Sequence, residues 1–286
     1  MSTLNNSTMV WRRGDSDYPG ALEDLSHPPE QLYAIGDRAM LEPPLVSIVG
    51  TREATGYGLR ITRAIAGALA RAGVSIVSGM ARGIDAAAHR AALDAGGRTV
   101  AVMGTGIDVP YPVGHRALHQ LLSERALVIS ENGSGVRAHK GAFPQRNRII
   151  AALSKVTIVI EAGEVSGALN TADWSENLGR IIAAVPGPID SPQSVGTNDL
   201  IRQGNTMLSS VDEALSLVGV YAPRVPEVEL DEKELRVWKA LADGGLDVDS
   251  LSARSSLPAR ETLTAITSLE LMGRVECLLT GEVRRR

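Results

Sequence analysis

The sequence is poor in cysteine, in aromatic rings and in lysine. A single cysteine, Cys277, among 286 residues excludes an internal disulfide and any zinc site built on a CxxC pair. A lone thiol suits a reducing compartment, so a cytoplasmic location is expected. No apolar run reaches the ~18 residues that a membrane helix needs. The opening stretch MSTLNNSTMVWRRGD lacks the apolar centre of a secretory signal, and no membrane partner is expected. Aromatic residues make up only 3% of the chain, with one phenylalanine, Phe143. Excess charge is missing too. With 29 basic against 33 acidic residues the net is −4, so a polyanion must be recognised by a local patch.

What is present reads as an ordinary soluble globular protein, 44% hydrophobic and 22% charged, with length for roughly two domains. Residues 1–40 are mixed and turn-rich, and are expected to form an extended N-terminal segment packing on the core. From 41 to 219, short β-branched runs alternate with helical patterns. The runs are Leu45–Val49, Val74–Val77, Thr99–Met103, Leu127–Ile129, Val156–Ile160 and Ile181–Val185. Continuous apolar runs of this length predict strands buried on both faces of a parallel sheet. Leu59–Ala72 and Ile84–Ala95 read as helices stopped by Gly73 and by Gly96-Gly97. The expected class is α/β, with a mainly parallel Rossmann-like sheet.

The stretch VYAPRVPEVELDE, with two prolines and an acidic cluster, marks a linker at 220–230. In 231–286, three helical patterns (Asp231–Ala242, Asp247–Ser255, Pro258–Met272) precede a strand pair around Thr280-Gly281. They predict a small winged-helix domain. Residues 229–286 hold 11 acidic and 9 basic side chains, a poor composition for reading duplex DNA. Leu263, Ile266 and Leu269 are expected to pack inward, and Arg284–Arg286 to form a charged tail. This domain reads as an interaction or regulatory module.

Chemistry could sit at several loops. The first long strand ends in Gly50-Thr51-Arg52 and a glycine-rich turn before a helix, which suits either an anion or a ligand-free turn. No Gly-Lys-Ser/Thr follows, which excludes a P-loop. The second strand ends in Ser78-Gly79-Met80-Ala81-Arg82-Gly83-Ile84-Asp85, where Asp85 is expected to steer the helix start and His89 to lie one turn later. Gly104 and Gly106 follow the third strand. The densest signal spans 137–148: Arg137, Lys140, Arg146 and Arg148 without an acid, with Asn147 and the chain's single Phe143 among them. A basic track with one ring suits single-stranded nucleic acid, while a solvated loop with Phe143 in the core fits the same composition. Ser166, Gly167 and Thr171 open a later helix and suit a phosphate or a cap, and Thr197 suits another cap. No nucleophile–base arrangement or metal-ligand cluster stands out. His115 and His119 are expected on a surface helix. No catalytic residue, metal or cofactor is expected.

These strings, in this order, resemble the DNA-processing protein A family, DprA or Smf. SGMARGIDAAAH (78–89) and FPQRNRII (143–150) carry the likeness, with Gly104-Thr105-Gly106-Ile107-Asp108, Tyr111-Pro112, Pro186-Gly187 and Gly196-Thr197-Asn198 in step from Asp17 to Leu217. The resemblance implies an extended Rossmann-like domain that binds single-stranded DNA without sequence preference and forms homodimers. It also implies a mediator that protects incoming DNA in natural transformation and helps load a RecA-type recombinase. By position it makes Arg52 and Lys140 DNA-contacting cations and Phe143 a base-contacting ring, with Ser166, Gly167 and Thr171 lining the same groove. The helical domain that many members carry at their N-terminus is expected to be absent. Three positions depart from the usual pattern: His115 and Pro188 where Asn is usual, and Asn170 where an aliphatic residue is usual.

Two other readings compete. One is a Rossmann-like nucleotide phosphoribohydrolase, whose family uses a PGGxGTxxE loop; here the matching region reads EAGEVSGALNT, without the Gly-Gly-x-Gly-Thr run. The other makes the winged helix a promoter-binding module and the protein a regulator.

Overall fold

The computed structural model describes residues 8–220, 230–242, 244–278 and 281–285. Most of the expected linker lies outside these residues, as do Leu279, Thr280 and Arg286. The chain divides into two units, Met1–Ala222 and Pro223–Arg286.

In the first unit, β1 (Met9–Arg12) and β2 (Gln31–Gly36) precede β3 (Leu45–Val49), α1 (Gly56–Arg71), β4 (Ser75–Ser78), α2 (Ile84–Asp94) and β5 (Thr99–Met103). There follow α3 (Arg116–Arg125), β6 (Leu127–Ser130), α4 (Ala142–Leu153), β7 (Val156–Val159), α5 (Gly167–Asn177) and β8 (Ile181–Ala184). The unit closes with α6 (Val195–Arg202), β9 (Thr206–Met207) and α7 (Val211–Ser216). Of the ten described pairings eight build this sheet: six are parallel, and β1 with β2 and β2 with β6 are its two antiparallel joints. Its order is β1-β2-β6-β5-β4-β3-β7-β8-β9.

The described part of the N-terminal segment thus does more than lie on the core: it extends the sheet by two strands at the β6 edge. Alternation along β2 explains it, because Leu32 and Ala34 are buried while Gln31 and Tyr33 are half-buried. From β3 the sheet grows one way through β4, β5 and β6, and the other way through β7 and β8. The crossovers therefore part between β3 and β7, and a crevice opens at the carboxyl ends of these two strands, where open α/β sheets hold ligands.

Helices cover both faces. On one, α1, α2 and α7 bury Ile48, Ile65, Leu69, Ile76 and Ile158. On the other, α4 and α5 pack Ile149, Ile150 and Ala172 against Val49, Val77 and Val102. Each fully buried Ile or Leu contributes about 1.5–3 kcal/mol. This two-sided burial holds the crevice rigid from below.

The second unit contains α8 (Glu232–Ala240), β10 (Leu246–Asp247), α9 (Val248–Ser255), α10 (Ala259–Leu271), β11 (Val275–Cys277) and β12 (Glu282–Arg285). Its three-stranded sheet runs β10-β12-β11. Val237, Leu251, Ile266, Leu269 and Val283 form its core. Leu263 departs from expectation and is 50% exposed, because Thr262, Ala265, Ile266 and Leu269 take the inward stripe of α10. Arg284 and Arg285 are not a free tail either. Arg284 pairs with Glu276 at 2.5 Å, and Arg285 donates to the Trp238 carbonyl with its guanidinium 4.2 Å from that ring's centre.

Candidate nucleic-acid interface

The glycine-rich turn after β3 is closed by the protein itself. Thr51 N–H donates to the Glu161 carbonyl (2.7 Å) and Ile84 N–H to the Thr51 carbonyl (3.3 Å). Thr55 caps α1 by accepting from Gly58 N–H, and both its N–H and its hydroxyl donate to the Glu161 carboxylate. The anion position at this helix start is therefore filled by Glu161, and the α1 N-terminus offers no free phosphate seat. The ligand-facing cation left by this loop is Arg52, which is exposed.

Arg52 leans over Phe143, with its guanidinium carbon 5.4 Å from the ring centre, a cation–π distance. Phe143 is half-buried in the first turn of α4, and the Tyr111 ring backs it at 4.9 Å with a 33° tilt. Gly104 makes room for this ring: a Cβ there would meet Phe143 Cδ1 at 2.9 Å. Gly141, at φ +88°, turns the chain into α4. Lys140 is exposed just before it, outside the walls of the cavity.

The two arginines of α4 part company. Arg146 is 6% exposed and lies on the floor, where it donates to the carbonyls of Gly79 (2.7 Å) and Val102. Gly79 must be glycine, because the Arg146 guanidinium occupies the space a Cβ would take. Burial lowers the pKa of Arg146 to about 10, against the opposing charge of Asp85. Burial raises that of Asp85, whose carboxylate accepts from Gly79 and Ala81 N–H and braces the turn before α2. Arg148 points elsewhere, into a two-bond pair with Glu131 at 2.7 and 2.8 Å. Arg52, Lys140, Arg146 and Arg148, which the sequence suggests as one positive strip, thus do not form one: residues two apart on a helix do not share a face, and Arg148 is withdrawn.

The opposite wall comes from β7 and α5. Ser166 caps α5 by accepting from Ala168 N–H, and Gly167 and the buried Thr171 line the same wall. Asn147 reaches across, donating to the Gly167 carbonyl (3.1 Å) and to Asn170 Oδ1 (3.2 Å). Asn170, one of the three unusual positions, is thereby part of the link between α4 and α5. Together Gly50, Thr51, Arg52, Phe143, Arg146 and Asn147 face Ser166, Gly167 and Thr171 across a cavity of about 540 Å³. Arg82 and Tyr111, which sequence reasoning left out of the site, also belong to this edge. Their signal was position: both lie in loops that leave the carboxyl ends of strands, β4 for Arg82 and β5 for Tyr111.

His115 and His119 are both anchored to backbone carbonyls. His119 is buried, 2.9 Å from the Ile107 carbonyl, and His115 is half-buried, 3.0 Å from the Met80 carbonyl, rather than on an open surface. Thr197 does not cap α6; its hydroxyl donates to the carbonyl of Ser194, which holds the cap position. Among the described residues no group of three or more His, Cys, Asp or Glu side chains forms a metal site, and no helix is long and apolar enough to cross a membrane.

Known proteins with this architecture agree. The family model described as DNA recombination-mediator protein A matches residues 9–219, and the DprA winged helix domain matches 222–278. The chain is 35% identical over 285 residues to protein Smf of Escherichia coli, covering 95% of this chain and 73% of that one. It is 40% identical over 202 residues to DNA processing protein DprA of Streptococcus pneumoniae, covering 71% of each. The crystal structure of the Streptococcus pneumoniae protein superposes with a TM-score of 0.70 at 38% identity, over 73% of both chains. DNA processing protein A from Helicobacter pylori, described for its single-stranded DNA binding mode, superposes with a TM-score of 0.69 at 29% identity, over 77% of this chain and 100% of that one. The chain belongs to the DNA recombination-mediator protein A family, DprA or Smf.

Proposed function

We propose that this protein binds single-stranded DNA in the crevice between β3 and β7, without reading its sequence. As a homodimer in the cytoplasm it protects incoming strands in natural transformation and helps load a RecA-type recombinase on them. One observation carries the reading: an exposed cation, Arg52, rests on a half-exposed ring, Phe143, at the mouth of a switch-point crevice. A guanidinium for phosphate beside a ring for a base is the minimum that sequence-independent strand binding uses. The chain acts by binding rather than by catalysis. Asp85 in the crevice floor and Glu161 behind it are both spent on backbone and hydroxyl donors of neighbouring turns, and the other lining carboxylate, Glu53, is exposed. The Helicobacter pylori relative supports the same ligand class.

Equilibrium binding of a labelled single strand and its duplex, at two salt concentrations, tests this. Arg52→Ala and Lys140→Ala should each weaken single-strand binding about tenfold or more and flatten the log–log salt slope by about 0.7. Parent-like binding by both variants would refute the assignment. Phe143→Ala should cost about 1–3 kcal/mol of binding, the range of base–aromatic stacking. Because this ring is only half-buried, its removal should leave the melting temperature close to the parent's. A folding loss in the 3–5 kcal/mol range typical of a core phenylalanine would return Phe143 to a packing role.

A further inference from the structure

We propose that the cavity beyond Phe143 is a second nucleotide subsite, so that Phe143 divides two neighbouring nucleotides of one strand. This rests on the single-strand reading above and extends it to a part of the edge completed by Gly79, Tyr111, Pro112, Gly114 and His115, none of them a site residue expected from the sequence.

Two cavities meet at Phe143. The near one, described above, measures about 540 Å³ and the far one about 560 Å³, each within the range of ligand sites. Arg52, Ala81, Arg82, Phe143 and Arg146 line both, so they are lobes of one groove. The far lobe is completed by Gly79, Tyr111, Pro112, Gly114 and His115.

This second lobe repeats the components of the first. Arg82, at the junction, is exposed and has no hydrogen bond or ion pair among the described residues, so it is free to meet the phosphate between two bases. Tyr111 supplies a ring that is 38% exposed. His115 supplies a polar reader. Its Nδ1 lies 3.0 Å from the Met80 carbonyl, which can only accept, so Nδ1 carries the hydrogen. In the neutral ring Nε2 is then an acceptor, matched to the imino or amino N–H of a base.

The backbone supports the assignment. Met80 is fully buried and adopts φ +57°, a left-handed conformation unusual for a side chain of its kind. Strain of this sort collects at ligand clamps, and here it sets the carbonyl that orients His115.

His115 separates the lobes, because it lines the far one alone. The test is fluorescence anisotropy with labelled thymidylates running from the single nucleotide, which can fill only one lobe, to oligomers of about 12 nucleotides, within the site sizes of single-strand binders. His115→Ala should match the parent on the single nucleotide and bind the oligomers about fivefold or more weakly. Arg82→Ala should lose about 0.7 of salt slope, again only on oligomers long enough to cross Phe143. Arg52→Ala should be weak at every length. Parent-like binding by His115→Ala throughout, or a loss independent of length, overturns the second subsite. Should that variant melt below the parent, Arg82→Ala decides, since its exposed side chain holds nothing: a loss confined to long oligomers supports the subsite, and no such loss overturns it. If Arg52→Ala binds as the parent does, the single-strand reading itself fails, an outcome distinct from failure of the far lobe alone.

Discussion

Arg146→Met should fold less stably than the parent by about 3–5 kcal/mol, the cost of leaving a buried charge without its partner. Arg52→Ala, which removes an exposed side chain, should melt with the parent. The two arginines border the same cavity, yet their surroundings assign them different work. Arg146 ties the carboxyl ends of β4 and β5 together through the Gly79 and Val102 carbonyls, beneath the ligand rather than against it. Methionine restores much of its volume but none of these donors, and it strands Asp85 in a buried site. Asp85→Asn added to Arg146→Met should recover part of the loss, because an amide oxygen can still accept from Gly79 and Ala81 N–H. Urea unfolding of the parent, both single variants and the double variant measures this coupling. Additive losses, or a change under about 1 kcal/mol for Arg146→Met, would move Arg146 out of the floor and back among the phosphate contacts.

The strands of the sheet could be read from the chain because being buried on both faces leaves a continuous β-branched run, as in Leu45–Val49 and Thr99–Met103. Their order could not, since every such run reads alike and only the crossovers distinguish neighbours. β1 and β2 escaped for the opposite reason. Their half-buried edge pairing leaves a weak alternating pattern among prolines and turns, so the segment read as irregular.

The site was legible as residue types and less so as roles. The basic segment was visible as charge, but charge does not show its partner. That Arg146 and Arg148 lie two apart on one helix, and so face different ways, was available in the spacing. That one lies within the field of Asp85 and the other pairs with Glu131 depends on long-range packing. The glycines show the same gap. Gly104 suits the close approach of a ligand by residue type, whereas the room there is taken by Phe143, as the room at Gly79 is taken by Arg146 of the same chain. The motif is therefore a record of how the floor and the dividing ring are seated, and the ligand meets their outer side.

Acid should destabilise the protein through one histidine, and His89→Gln should remove that component. His89 is fully buried on α2, with Nδ1 2.7 Å from Thr99 Oγ1. That hydroxyl donates onward to the Ile76 carbonyl, so it accepts from the ring, and the hydrogen sits on Nδ1. Burial first, and then the charges of Arg146 and His115, push the pKa of His89 down to about 3. In the unfolded chain an ordinary histidine takes its proton near pH 6.5. Below that pH the unfolded state therefore binds a proton that the folded state refuses. The stability His89 contributes is complete above about pH 6.5 and is lost progressively as pH falls toward about 3. The slope is about 1.4 kcal/mol per pH unit, which comes to about 2 kcal/mol by pH 5 and of order 5 kcal/mol over the full span. Glutamine offers an N–H to Thr99 Oγ1 but has no proton to gain, so the variant starts from its own lower baseline and stays flat through this window. Asp85 titrates in both proteins with a raised pKa, and its opposite contribution cancels when one pH–stability curve is subtracted from the other. Denaturant melts at half-unit steps from pH 7.5 to 5 supply the two curves. Parallel curves would mean that the folded protein accommodates a protonated His89, and the neutral buried ring would have to be abandoned.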